Sequence, residues 1–134
     1  MAAGKPPPIC LSMLVCDSVQ LDRTTGKVTI LGAFENVSAP GFPARHPELA
    51  VFAELTDGRG RVAVTLSICR VTADDLDGTE LFSGSLEVVF ADPRATVRLH
   101  FQVAPWDIPR AGEYRFILAT DGTRIAERRI TANS

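Results

Sequence analysis

The sequence predicts an all-β protein: a two-sheet antiparallel β-sandwich of about eight strands, wound as an Ig-like or C2-like Greek key. Three observations predict it. First, residues 61–71 alternate, with Val62, Val64, Leu66 and Ile68 on one side and Ala63, Thr65, Ser67 and Cys69 on the other. The same rhythm returns at 96–103, where Val97, Leu99, Phe101 and Val103 alternate with Arg98, His100 and Gln102. A strand sends successive side chains to opposite faces, so a two-residue period marks a strand with one buried face. Second, turn residues recur about every 8–12 positions, the spacing of a many-stranded antiparallel fold. Third, no stretch of useful length carries the period of a helix.

A proline-stiffened tail, residues 1–8, precedes a single domain over 9–131, and 132–134 form a C-terminal tail. The first strand is expected over 9–21 and the second over 27–37. Arg23-Thr24-Thr25-Gly26 closes the loop between them, with Gly26 available for positive φ. As a hairpin they set Leu21 opposite Val28, Val19 opposite Ile30 and Val15 opposite Phe34. Asp22 falls opposite Lys27, a favourable cross-strand charge pair. Residues 38–48 carry Pro40, Pro43 and Pro47, which exclude a central strand, so this segment is expected to cross between sheets or follow an edge. Strands three and four, 49–56 and 61–71, are joined by Asp57-Gly58-Arg59-Gly60, and the Asp-Gly pair signals a hairpin.

A polar loop, 72–79, leads to the fifth strand, 80–91. Asp92-Pro93-Arg94 turns into the sixth, 96–103, and residues 105–109 make a longer connection. The last two strands, 113–120 and 123–131, flank Asp121-Gly122, which tolerate the positive φ of a type I′ turn. Tyr114, Phe116 and Leu118 face inward. The final strand loses its phase between Ile125 and Ile130, which points to a β-bulge near Arg128. Pro109-x-x-Gly112-Glu113-Tyr114 has the spacing of a tyrosine corner, in which a tyrosine at a strand start bonds backbone upstream.

At 134 residues the chain has the length of one domain. Its 46% hydrophobic and 22% charged residues are ordinary for a folded soluble protein. A formal net charge of -2 supplies no positive field for sequence-independent nucleic-acid binding, so no nucleic-acid partner is expected. No apolar run approaches the roughly 18 residues of a membrane helix, so no membrane insertion is expected. Residues 9–16 are apolar and follow Lys5, but Pro6, Pro7 and Pro8 and the absence of a small-x-small cleavage site argue against export. Cys10, Cys16 and Cys69 are an odd number without metal spacing. Cys10 and Cys16 on one strand would lie about 20 Å apart. Either could meet Cys69, but reduced thiols in a cytoplasmic setting are the expectation.

The segments Cys16-Asp17, Thr25-Gly26-Lys27-Val28, Gly32-x-Phe34, Ala39-Pro40-x-Phe42-Pro43, Leu55-Thr56-Asp57-Gly58, Pro109-x-x-Gly112-Glu113-Tyr114-Arg115-Phe116, Asp121-Gly122 and Glu127-Arg128-Arg129 occur together in this chain. Their combination resembles a family of small bacterial proteins known only as a domain of unknown function. The resemblance covers residues 16–130 and implies a bacterial, non-secreted, all-β protein. It supplies no activity, cofactor or site residue.

Chemistry is sparse. Of two histidines, His100 lies on the polar side of the sixth strand and reads as a solvated residue. His46 lies in the proline-rich loop beside Arg45 and reads as a loop cap. Ser83-Gly84-Ser85 is no nucleophile elbow, because it sits within a strand pattern with no histidine nearby. Asp74, Asp75, Asp77 and Glu80 cluster around Gly78, as calcium-binding loops do. An EF-hand alignment nevertheless puts Ala73 at the first ligand and Gly84 at the closing Glu. A C2-type site would need Asp57, Asp92 or Asp107 to converge on that loop. Gly58-Arg59-Gly60-Arg61 lacks the lysine and helix of a P-loop. Arg110, Arg115, Arg124, Arg128 and Arg129 interleave with Glu113, Asp121 and Glu127 and read as a ladder of surface ion pairs. Asp17 stands out, since alternation places it on the apolar face of Val15 and Val19, opposite Gly32. A break or bulge there would let it accept backbone N–H bonds.

No cofactor, metal or catalytic set emerges, so an enzyme is not expected. The leading expectation is a non-enzymatic protein-binding or self-assembly module with a protein partner or a second copy. Phe52, Ile117 and Ala119, with Ala50 and Val89, are apolar on the nominal outer side and form a candidate partner-facing patch. One alternative is a small-molecule or carbohydrate-binding sandwich, with Phe42, His46 and Trp106 lining a loop pocket. The other is a calcium-binding C2-like domain.

Overall fold

A computed structural model describes residues 6–72, 79–103 and 105–134. It is all-β. The strands among these residues are β1 (Ile9–Cys16), β2 (Ser18–Leu21), β3 (Val28–Leu31), β4 (Asn36–Ser38), β5 (Ala44–His46), β6 (Ala50–Thr56), β7 (Gly60–Arg70), β8 (Thr79–Phe90), β9 (Val97–Gln102), β10 (Trp106–Ile108), β11 (Gly112–Thr120) and β12 (Thr123–Asn133). Two main sheets hold eight of them, in the orders β1-β6-β9 and β4-β12-β11-β7-β8. The ribbons β2-β3 and β5-β10 hold the rest. Twelve strands in four sheets thus replace the eight in two that alternation predicts.

The extra strands arise where long expected strands break. The first breaks at Asp17, whose N–H donates to both Leu31 O (3.0 Å) and Gly32 O (3.1 Å) where a regular ladder would continue. The second breaks at Gly32, whose φ of 68° lies in the left-handed region. An added Cβ there would run into the Asp17 carboxylate. The expected hairpin register holds on both sides of the β2–β3 turn, with Leu21 opposite Val28 and Val19 opposite Ile30. Asp22 does not use its carboxylate on Lys27. Its Oδ1 accepts the N–H of Thr24 (2.8 Å) and Thr25 (3.3 Å), capping the loop, and those bonds lower its pKa. The proline-rich stretch contributes β5, which among the described residues pairs with β10 alone.

The Asp-Gly signal at 57–58 misleads. β6 and β7 form no hairpin: β6 pairs with β1 and β9, and β7 pairs with β8 and β11. The turn instead carries the chain from one main sheet to the other. Asp57 (φ 61°) and Gly60 (φ 62°) provide the left-handed corners. Asp57 N–H donates to Pro93 O (2.8 Å), which ties this crossing to the turn after β8. Gly58 is buried, and an added Cβ would fall on the Phe90 ring.

The C-terminal hairpin matches its expected turn, with positive φ at Asp121 (49°) and Gly122 (79°). Its bulge lies at Ile125, between Ala126 and Arg124, rather than near Arg128, which pairs regularly with Phe116. β12 continues past residue 131 through Asn133, because residues 131–133 pair in parallel with β4. The tyrosine corner is present: Tyr114 is fully buried and its hydroxyl donates to Arg110 O at 2.6 Å.

One face of each main sheet supplies the core. Met13, Val15, Val51, Ala53, Leu55, Leu99 and Phe101 come from the smaller sheet. Val62, Val64, Leu66, Ile68, Phe90, Tyr114, Phe116 and Leu118 come from the larger. Burying each of the valine, leucine, isoleucine, methionine and phenylalanine side chains among them contributes about 1.5–3 kcal/mol. Among the described residues no helix is long and apolar enough to cross a membrane.

Gly58→Ala tests the crossing. The methyl group must displace the buried Phe90 ring, at a cost of about 1–3 kcal/mol. Urea unfolding should show a lower midpoint than wild type, and an unchanged midpoint would contradict this packing.

Candidate functional site

The outward apolar residues do not assemble into a patch. Phe52 and Ile117 lie on different main sheets, and both are buried, at 7% and 5% exposure. Phe52 faces Val28 and Ile30 of the β2–β3 ribbon across an open cleft of about 500 Å³, which Lys27, Glu54 and Arg98 also line. Glu54 accepts Ser12 Oγ–H (2.8 Å) and Arg98 Nε–H (2.9 Å), and these bonds hold its carboxyl below the usual range. Ile117 lies in β11, flanked by Ser67 of β7 and Glu127 of β12. Beside it Arg115 reaches toward Glu113 (3.7 Å) and Glu127 (3.6 Å), as an ion-pair ladder requires. Ala119 is half-buried.

Nor do Phe42, His46 and Trp106 line one pocket. Trp106 packs into the core, edge-on to Tyr114 and Phe116 with ring centroids 5.4 and 5.3 Å away. Phe42 packs against the same core. His46 sits opposite Trp106 in the β5–β10 ribbon, but its ring turns to Phe34 (5.1 Å) and its Nε2 lies 3.0 Å from Asp17 Oδ1. Sequence reasoning singled out both Asp17 and His46 without joining them, since 29 residues separate them. The carboxylate takes this imidazole rather than backbone N–H groups. The pair borders an open cleft of about 350 Å³ with Gly32, Phe34, Asn36 and Ser38. Ser38, a hydroxyl lining that cleft, donates to Asn133 Oδ1 (3.0 Å). The Asp17–His46 pair acts as a clamp that holds the β1–β2 break against the β5–β10 ribbon.

Asp74, Asp75 and Asp77 lie outside the described residues, and no three His, Cys, Asp or Glu side chains converge among those described. Burial pushes the Cys10 and Cys16 thiols up, away from the reactive thiolate. Cys10, Cys16 and Cys69 form no disulfide.

The longest edge strand among the described residues is β8. This strand closes one side of the five-stranded sheet and runs for 12 residues. Its core-facing row is Phe82, Gly84, Leu86, Val88 and Phe90, opposite Ile68, Leu66, Val64, Val62 and Gly60 of β7. Val88 and Phe90 are buried, yet Leu86 in the same row is 38% exposed, and on the other face Val89 is 57% exposed. Exposed strand edges are usually guarded by proline, lysine or inward charge. β8 has neither proline nor lysine. Of its two charges, Glu87 is held by Arg61 at 2.7 Å. The edges of the smaller sheet are shorter: β9 presents Arg98, His100 and Gln102 on its outer row, and β1, which like β8 lacks proline and lysine, exposes Ile9 and Leu11 over eight residues. The absence of proline and lysine from 80–91 was the available sequence signal. The strand's position at an edge was not, because that follows from the crossing at 57–60.

Asp17→Ala removes the clamp. The carboxylate is 45% exposed on its side chain, so the loss should be modest, about 0.5–1.5 kcal/mol, as for a single hydrogen bond. Thermal unfolding should show a lower Tm, with Asp17→Asn intermediate, and an unchanged Tm for Asp17→Ala would contradict the clamp.

No curated protein sequence matches the chain. Among solved structures, the fold is similar to Pseudomonas fluorescens alkylpurine DNA glycosylase AlkC bound to DNA containing an abasic site analog. The TM-score is 0.47 and the identity 8%, over 91% of this chain and 30% of that one. The chain thus spans less than a third of the glycosylase, and nothing about DNA passes to it from a likeness at that level. A family model covers residues 11–133, from the first strand to the end of β12. The chain belongs to that family, the Family of unknown function (DUF6941).

Proposed function

We propose that this protein is a non-enzymatic binding module that takes up an added β-strand along the outer edge of β8. The observation that carries the reading is the contrast within one row: Leu86 is left open while Val88 and Phe90 are covered. An edge strand presents unpaired N–H and C=O groups, and an incoming extended chain supplies their partners. Its alternate side chains would cover Leu86 on one face and Val89 on the other. The finer arrangement belongs to the same proposal: the two main sheets form a Greek-key sandwich, elaborated by two ribbons, that serves as a rigid support for the edge. A cytoplasmic setting fits the odd number of cysteines.

A library of extended peptides displayed on phage, selected on the full chain, tests this reading. Enriched peptides should alternate apolar and polar residues. Their affinity should fall at least about tenfold, or 1.4 kcal/mol, on Leu86→Lys, a charge of the kind that guards natural edges. Peptides without alternation, or binding indifferent to Leu86→Lys, would overturn the proposal.

A further inference from the structure

We infer that the strand added to β8 is β8 of a second copy of this chain, antiparallel and related by a two-fold axis through Leu86. The inference rests on the reading of β8 as a pairing edge and names its occupant. A two-fold interface must be self-complementary, and the register of β8 allows few solutions. The ladder with β7 is regular from Phe82 to Phe90, and it shifts between Ile68 and Cys69, leaving Leu81 unpaired. Leu86 is the midpoint of that regular run.

Centring the axis there pairs Leu86 with Leu86 of the second copy, Gly84 with Val88, and Phe82 with Phe90. All three are pairs of core-facing residues, so the apolar row continues from one subunit into the next. On the other face Ser85 meets Glu87 and Ser83 meets Val89. No two like charges stand opposite. Centring on Glu87 would set two carboxylates face to face, which is destabilising. Centring on Ser85 would draw Leu81, the unpaired residue, into the ladder. The two-fold at Leu86 therefore uses the full regular run and covers the exposed leucine with its own mate.

Sedimentation velocity of the full chain over a wide concentration range, with Leu86→Lys in parallel, tests the pairing. Wild type should show a concentration-dependent dimer, and Leu86→Lys should weaken it at least about tenfold while remaining folded, read as an unchanged far-UV circular dichroism spectrum. Cysteine scanning fixes the register. Directly opposed Cα atoms in an antiparallel pair lie about 4.5–5.5 Å apart, inside the disulfide range of about 4.4–6.8 Å. Leu86→Cys should therefore cross-link the dimer on mild oxidation. Ser85→Cys, two positions out of step with its own mate, should not. Wild type oxidised alongside measures any contribution from its own thiols.

A strict monomer at every concentration, a dimer indifferent to Leu86→Lys, or equal cross-linking at 85 and 86 would overturn the inference. A monomer that still captures alternating peptides in a Leu86-dependent way would overturn self-pairing alone and leave edge addition standing. A monomer that captures none would overturn both.

Discussion

The chain leaves the smaller main sheet at Thr56 and enters the larger one at Gly60, and the remaining topology depends on that crossing. Its corners need positive φ at Asp57 and Gly60, its middle needs a residue without a side chain against Phe90, and its backbone is tied to Pro93. Because the crossing delivers β7 into the larger sheet, β7 is flanked by β8 and β11 along most of its length. Its row of Val62, Val64, Leu66 and Ile68 then lies against the row from β6, which stays behind in the smaller sheet. A hairpin at the same position would have paired β6 with β7 and placed both rows in one sheet, with no opposing face to bury them. The crossing also makes β8 an edge among the described residues, where its ladder is with β7.

Much of this was legible in the sequence, and the limits have a physical pattern. Alternation located β6, β7, β8, β9, β11 and β12 to within about two residues at their starts and ends, the usual uncertainty of strand bounds. The β2–β3 register, the type I′ turn at Asp121-Gly122 and the corner at Tyr114 were readable because each is set by neighbouring residues. The Asp-Gly pair at 57–58 misled because it reports a local backbone preference, whereas the choice of partner strand is made by distant burial. The Ile125 bulge was displaced for a related reason: the loss of phase shows that a residue is extra but does not say which one.

The candidate site divides along the same line. Asp17 was recognisable as an anomaly on an apolar face, and its opposition to Gly32 followed from the register. Its bond to His46 was not recognisable, since the folding of the proline-rich segment brings β5 across to it. Phe52 and Ile117 were judged outward-facing correctly, but strand period is silent on what lies beyond a sheet face. In the structure the β2–β3 ribbon lies over one, and the long side chains of neighbouring strands flank the other. Leu86 was the reverse case. It shares the core-facing row of Val88 and Phe90, and its position on an edge strand leaves it open.

Among the described residues β8 has its ladder with β7, and an added strand is proposed for its other edge. Amide hydrogen exchange, resolved residue by residue over 82–90 in dilute and concentrated protein, tests that claim directly. Alternate N–H groups along an edge strand point away from its existing partner, and in a paired edge they become protected. Every second amide from Phe82 to Phe90 should slow as protein concentration rises, while those facing β7 stay protected throughout. Exchange along β8 that is the same at both concentrations would contradict it.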